Sequence, residues 1–204
     1  MPSIIALLTL ALSICSTIAA PVLDIGEIEA RQSSCPDVQV YFARGTTETP
    51  TLGTVVGPPF SAALSSQLSG KTLGFEGIAY PATVAGYLAG GDAGGATTMA
   101  NTVTSKASSC SNTKIVISGY SQGAQVTHLA ARKLSTAVQN RVVAVVTFGD
   151  PYKNTALPGV LESRRKTFCN SGDLICTGSP IVLAPHFTYG SDTPAAAEFV
   201  KARV

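Results

Sequence analysis

The sequence has no tryptophan, and only 13% of its residues are charged. Its formal charge of +2 comes from scattered Lys and Arg, with no basic stripe able to neutralise phosphates, so nucleic acid is not an expected partner. The sequence contains no CxxC pair, no N-x-[ST] sequon and no internal repeat. It has no second apolar run and no apolar tail of the kind a multispan or GPI-anchored protein needs, so no stable membrane anchor is expected. With 45% hydrophobic residues against so little charge, disorder is also excluded, and one core in a single monomeric domain is the expectation.

What is present begins with an apolar stretch. Residues 1–20 run through Ile4 to Leu12 and end in Ala19 and Ala20, small residues that suit signal peptidase. A signal peptide over 1–20 is expected, although Pro21 makes a cut after Ala20 awkward and one after Ala19 equally good. The stretch is slightly short for a spanning helix. Residues 21–31 read as a short pro-segment or a frayed terminus, which leaves 32–204 as the folded domain of an extracellular protein.

Setting aside Cys15 inside the signal, four cysteines remain: Cys35, Cys110, Cys169 and Cys176. An even number in an exported chain implies two disulfides, with three pairings to choose from. The short gap between Cys169 and Cys176 favours local closure, which leaves Cys35 with Cys110. The oxidising compartment and the missing CxxC argue against zinc, so neither a metal nor another cofactor is expected.

Short β-branched runs alternate with longer helical stretches, the pattern of a mostly parallel sheet covered on both faces. Strands are expected at 38–43, 75–79, 114–118, 142–148 and 165–168. Helices are expected at 59–68, 95–109 and 122–134, the second carrying Met99, Val103 and Ala107 at fourfold spacing. A last helix, 195–203, would pack at the sheet edge. The glycine-rich stretch 86–95 reads as a surface loop.

The strand at 114–118 runs into Gly119, Tyr120, Ser121, Gln122, Gly123 and then directly into a helix. A GxSxG alone is weak. In this strand-turn-helix context it is a nucleophile elbow: the glycines let neighbouring backbone pass, Ser121 projects from the carboxyl edge of the sheet, and the helix aims free N–H groups at a nascent oxyanion.

A serine hydroxyl needs a base, and the sequence has two histidines. His128 lies seven residues into the helix after Ser121, about 10 Å along its axis and pointing away from the hydroxyl, and reads as a packed or half-exposed helix residue. His186, late in the chain after Pro185, suits the order Ser, Asp, His of this fold. For the third place two aspartates compete. Asp150 ends the strong strand in Phe148, Gly149, Asp150, Pro151, and could instead cap a turn. Asp173 sits between Cys169 and Cys176, where a short bridge would fix its position. The residues alone leave both open.

Three stretches together resemble the fungal-type cutinases: 119–123; 168–176, which is Phe168, Cys169, Asn170, Ser171, Gly172, Asp173, Leu174, Ile175, Cys176; and Ala184, Pro185, His186. The likeness runs from Cys35 to the C-terminus. It implies an α/β fold, a three-layer α/β/α sandwich of the α/β-hydrolase type without a lid. It also implies a triad of Ser121, Asp173 and His186, with disulfides Cys35–Cys110 and Cys169–Cys176. The run Ala43, Arg44, Gly45, Thr46, Thr47, Glu48 is similar to the family's oxyanion loop, in which Thr46 would donate its N–H and hydroxyl and Gln122 a second N–H. Many members carry serine where this chain has Thr46.

Pro180, Val182 and Phe187 match positions that line an open acyl groove in the family, and Val84 with Tyr87 and Leu88 adds apolar surface from the glycine-rich stretch. Ile181 and Leu183 also flank His186. An open apolar groove suits a polymeric or interfacial ester such as cutin, a hydroxy fatty acid polyester, as well as short soluble esters. The expectation is a secreted serine esterase working through an acyl-enzyme. The alternatives are an acetylxylan esterase, against which the apolar flanks argue, and a non-catalytic secreted interaction protein on a hydrolase scaffold.

Overall fold

The structure, a computed structural model, describes residues 35–204. The expected signal peptide at 1–20, the segment 21–31 and the first three residues of the expected domain lie outside the described residues.

Five strands form one sheet: β1 (Val38–Ala43), β2 (Leu73–Gly77), β3 (Lys114–Tyr120), β4 (Val142–Phe148) and β5 (Arg165–Phe168). Their order is β2-β1-β3-β4-β5, and every pairing is parallel. Parallel neighbours require crossovers, which here carry the helices α1 (Gly57–Gln67), α2 (Val84–Leu88), α3 (Ala93–Ser109), α4 (Gln122–Lys133) and α5 (Thr136–Gln139), before a final α6 (Thr193–Lys201).

Alternation along the strands divides the core into two. On one face Tyr41, Ile115, Ile117 and Val145 pack under Met99, Val103, Val126 and Ala130 of α3 and α4. On the other, Val40, Phe42, Val116, Val146 and Phe148 pack under Phe60, Leu64, Ala197 and Val200 of α1 and α6. The result is the expected α/β/α sandwich. In β4 the alternation slips once, because the register shifts between Ile115 and Val116 and Ala144 rather than Val143 faces Val116. Both disulfides are formed, Cys35–Cys110 across a separation of 75 residues and Cys169–Cys176 across 7.

Three expectations are corrected. The stretch 86–95 is not one loop: it holds the end of α2 and the start of α3, because Asp92 accepts from the Gly95 N–H at 2.6 Å and so starts a helix among glycines. α6 lies over a face rather than at the edge. Its Ala196 and Ala197 are fully buried, and these small side chains let it settle on α1 and β4. Finally, β2 begins two residues earlier than expected, while β3 continues through Tyr120 up to Ser121.

The chain turns outward from β1 to β2 on one side and reaches β3 on the other. Strand order therefore reverses between β1 and β3, and a doubly wound sheet opens its crevice at the carboxyl ends of such a pair. Thr46 follows β1, and Ser121 follows β3.

Candidate active site

Ser121 occupies a left-handed turn, φ 57° and ψ −120°, a conformation that costs about 1 kcal/mol or more for a residue with a side chain. The neighbours explain how it is held. A Cβ on Gly119 would lie 2.1 Å from the Gly123 carbonyl oxygen, and one on Gly123 would lie 1.9 Å from that of Ala43. Backbone thus touches backbone between the turn, α4 and the end of β1. The Ser121 N–H donates to the Phe148 carbonyl at 2.9 Å, which pins the turn to β4 as well. As the first residue of α4, Gln122 has no intrahelical acceptor for its N–H.

His186 lies on the 3₁₀ turn Ala184–Phe187 and is 3% exposed. Its Nε2 is 2.9 Å from Ser121 Oγ and its Nδ1 is 2.8 Å from Asp173 Oδ2. A carboxylate only accepts, so Nδ1 carries the proton and Nε2 is left to accept from the Ser121 hydroxyl. Asp173 starts the turn Leu174–Thr177 and accepts the Ile175 N–H on Oδ1 at 3.0 Å. The imidazole is held from its backbone side too, where the buried Tyr120 hydroxyl donates to the His186 carbonyl at 2.8 Å. Asn170 donates through Nδ2 to Thr188 Oγ1 at 2.9 Å, joining the disulfide loop to the histidine segment.

The competing aspartate is used elsewhere. Asp150 is fully buried, with Oδ2 bonded to His128 Nε2 at 2.9 Å and Oδ1 accepting from the Tyr152 N–H at 2.8 Å. His128 is likewise fully buried, packed rather than half-exposed, and its Nδ1 has no partner.

Across from Ser121, the loop after β1 is built on charged scaffolding. Arg44 donates to the Glu48 carbonyl through Nε and to the Tyr80 carbonyl through Nη2, each at 2.8 Å. The Glu48 carboxylate in turn gathers the N–H groups of Gly45, Thr54 and Val55 at 2.7–2.9 Å. Within this loop Thr46 is tied to α4. Gln122 Nε2 donates to Thr46 Oγ1 at 3.0 Å and to the Thr83 carbonyl at 2.7 Å. Thr46 therefore accepts on its oxygen and keeps its hydroxyl proton free to donate into the cleft.

The cleft over Ser121 has a volume of about 400 Å³, and Val84, Leu88, Pro180, Val182 and Phe187 line it together with His186. Its rim is apolar and open: Val84 is 55% exposed, Leu88 68%, Val182 48% and Phe187 60%. Ile181 and Leu183 are exposed beside it without lining it.

Burial raises the phenol pKa of Tyr120 and of Tyr189, the latter also through its hydrogen bond to Asp173. Tyr189 is the site residue that sequence reasoning missed. Nothing in the spacing of residue 189 from Asp173 marks a contact, which arises only because two consecutive 3₁₀ turns fold the chain back. Among the described residues no cluster of ligating side chains fit for a metal ion is found.

Comparison with known proteins places these features in context. A family model described as Cutinase matches residues 34–204. Cutinase CUT1 of Coprinopsis cinerea is 66% identical over 97% of this chain and 98% of its own length. A cutinase of Botryotinia fuckeliana is 53% identical over 91% and 90%. Among solved structures, a Trichoderma reesei cutinase in complex with a C11Y4 phosphonate inhibitor superposes with a TM-score of 0.78 at 40% identity, covering 86% of this chain and 83% of that one. An acetylxylan esterase structure superposes with a TM-score of 0.68 at 27% identity, covering 83% and 99%.

Proposed function

The chain belongs to the cutinase family and is a carboxylic ester hydrolase; from that premise we propose that it works as a secreted serine esterase with Ser121 as nucleophile, His186 as base and Asp173 as orienting acid. The observation that carries this is the unbroken line of hydrogen bonds from Asp173 Oδ2 through the imidazole to Ser121 Oγ, at 2.8 and 2.9 Å.

In this mechanism His186 Nε2 takes the Ser121 proton as Oγ attacks the ester carbonyl. The imidazolium is stabilised by Asp173, and its proton then goes to the departing alcohol. The acyl-enzyme is hydrolysed by a water that His186 deprotonates in the same way, returning the acid and the free serine. The oxyanion is held by the N–H groups of Thr46 and Gln122 and by the Thr46 hydroxyl, and removing one such donor is worth about a hundredfold or more in rate. No cofactor enters these steps.

The substrate follows from the cleft. An apolar groove with an exposed rim accepts a chain end presented by a surface, so cutin and short soluble esters are the proposed substrates, taken by a monomer outside the cell. Two disulfides support an oxidising compartment, as does the expected signal at 1–20. Among the described residues no helix is long and apolar enough to cross a membrane.

An organophosphonate should label Ser121 and fail to label Ser121→Ala; absence of labelling would reject the nucleophile and favour a non-catalytic scaffold. A chain-length series of p-nitrophenyl esters, run beside a cutin suspension, separates the proposed substrate from acetylated xylan. Activity confined to acetate would favour the acetylxylan reading.

A further inference from the structure

Tyr189 is fully buried behind the proposed acid. Its hydroxyl donates to Asp173 Oδ2 at 2.6 Å, the oxygen that also accepts from His186 Nδ1 at 2.8 Å. The same hydroxyl accepts the Asn170 N–H at 3.0 Å, so its oxygen is anchored and its proton is directed at the carboxylate. The ring is packed against the same group it serves, edge-on to the His186 imidazole at 6.0 Å and to Phe148 at 6.3 Å.

We propose that Tyr189 is a positioning residue for the esterase reaction, whose hydroxyl fixes the Asp173 carboxylate and withdraws charge from the oxygen facing His186, thereby setting the pH above which the imidazole can serve as base. The proposal rests on the triad reading given above. The physical reason is competition at one oxygen. Each strong donor to a carboxylate stabilises its charge and weakens its hold on the next proton along the line. With Tyr189 donating, Asp173 stabilises the imidazolium less than a bare buried carboxylate would, and the base stays free at lower pH. Burial keeps the phenol protonated over the working range, so the donation does not switch off.

Other groups near this line are few. The Tyr120 ring from β3 lies tilted against the imidazole at 5.1 Å, and its hydroxyl donates to the His186 carbonyl. Tyr87 from α2 senses the Asp173 charge, and Glu48 from the opposite loop faces Tyr120. His128 and Asp150 are buried and bonded to each other, Nε2 to Oδ2 at 2.9 Å. Tyr189 alone among the tyrosines donates to the carboxylate.

The test is the pH dependence of kcat/KM on p-nitrophenyl butyrate for Tyr189→Phe, which keeps the ring and removes the donor. The acidic limb should move up by about half a pH unit or more. A limb that stays in place, whatever happens to kcat, would overturn the proposal, because a merely structural hydroxyl lowers activity at all pH values alike. Substitution of 3-fluorotyrosine at 189 strengthens the donor without emptying the site and should move the limb down. Should the Phe variant fail to fold, an unmoved or raised limb in the fluorinated protein overturns the proposal instead. Asp173→Asn is measured alongside. If its rate is undiminished the triad reading itself fails, whereas a collapse of that variant with unmoved limbs at 189 rejects Tyr189 alone.

Discussion

The imidazole of His186 rests directly on Gly149: a Cβ at that position would lie 2.8 Å from Cε1 and 3.0 Å from Nδ1 of the ring. Gly149 also has φ +53°, which side chains other than glycine's adopt only with strain. Gly149, just past the end of β4, is therefore the wall against which the His186 imidazole stands, 2.9 Å from Ser121 Oγ.

Gly149→Ala should push the ring off its line with Ser121 Oγ. Since a displacement near 1 Å can lower a rate by about a hundredfold, kcat on p-nitrophenyl butyrate should fall by about that factor. Phosphonate labelling of Ser121 should slow in parallel.

The two aspartates should separate cleanly. Asp173→Asn should leave the fold intact and lower kcat by about 10⁴, by holding the imidazole in the wrong tautomer. Asp150→Ala leaves the fully buried His128 Nε2 without a partner and should destabilise the protein by about 1–3 kcal/mol. Its folded fraction should still take up phosphonate at the normal rate. Denaturant melts beside titration of active sites distinguish the two outcomes.

Alkaline pH should unfold the protein. Burial raises the phenol pKa of Tyr41, Tyr80, Tyr120 and Tyr189 above the ordinary 10.0. A raised folded pKa means that the native state keeps protons the unfolded chain releases. The associated stability is complete below pH 10 and is lost as the pH climbs beyond it. Tm measured from pH 8 upward should therefore drop steeply past about 10, together with growth of the tyrosinate absorbance. A flat Tm across that range would contradict the burial of these rings.

Replacing Val182 and Phe187 together by serine should reduce hydrolysis of a cutin suspension while leaving p-nitrophenyl acetate turnover unchanged. Neither residue hydrogen-bonds into the line from Asp173 to Ser121, Phe187 meeting the His186 ring only edge-on at 6.0 Å, and both are exposed at the rim. Equal loss on both substrates would place them in the chemistry rather than at the surface contact.

Much of this was legible in the sequence. The parallel sandwich follows from strand-helix alternation, and Ser121 from a strand, a GxSxG and a helix in immediate succession, because that local geometry needs glycine on both sides. The choice between Asp150 and Asp173 was not legible from the residues alone. Both follow a strand and stand beside a turn, and the buried bond to His128 shows what Asp150 does. The helix at Val84–Leu88 was hidden because five residues cannot display a period, and the start of α3 because Gly94 and Gly95 read as breakers while Asp92 capped them. Tyr189 was hidden because hydrogen bonds between turns leave no periodic trace.

The contact of Gly123 with the Ala43 carbonyl has a consequence for how such a molecule can diversify. Where the start of α4 meets the end of β1 the spacing is gauged by two peptide groups, with no side chain at that contact to be exchanged for a larger or smaller one. Substitution can therefore reshape the rim of the cleft, through Val84, Leu88, Pro180, Val182 and Phe187, while the spacing at the Ser121 turn stays the same. New substrate preferences would be written on the two lips of the cleft, and the chemistry between them inherited unchanged.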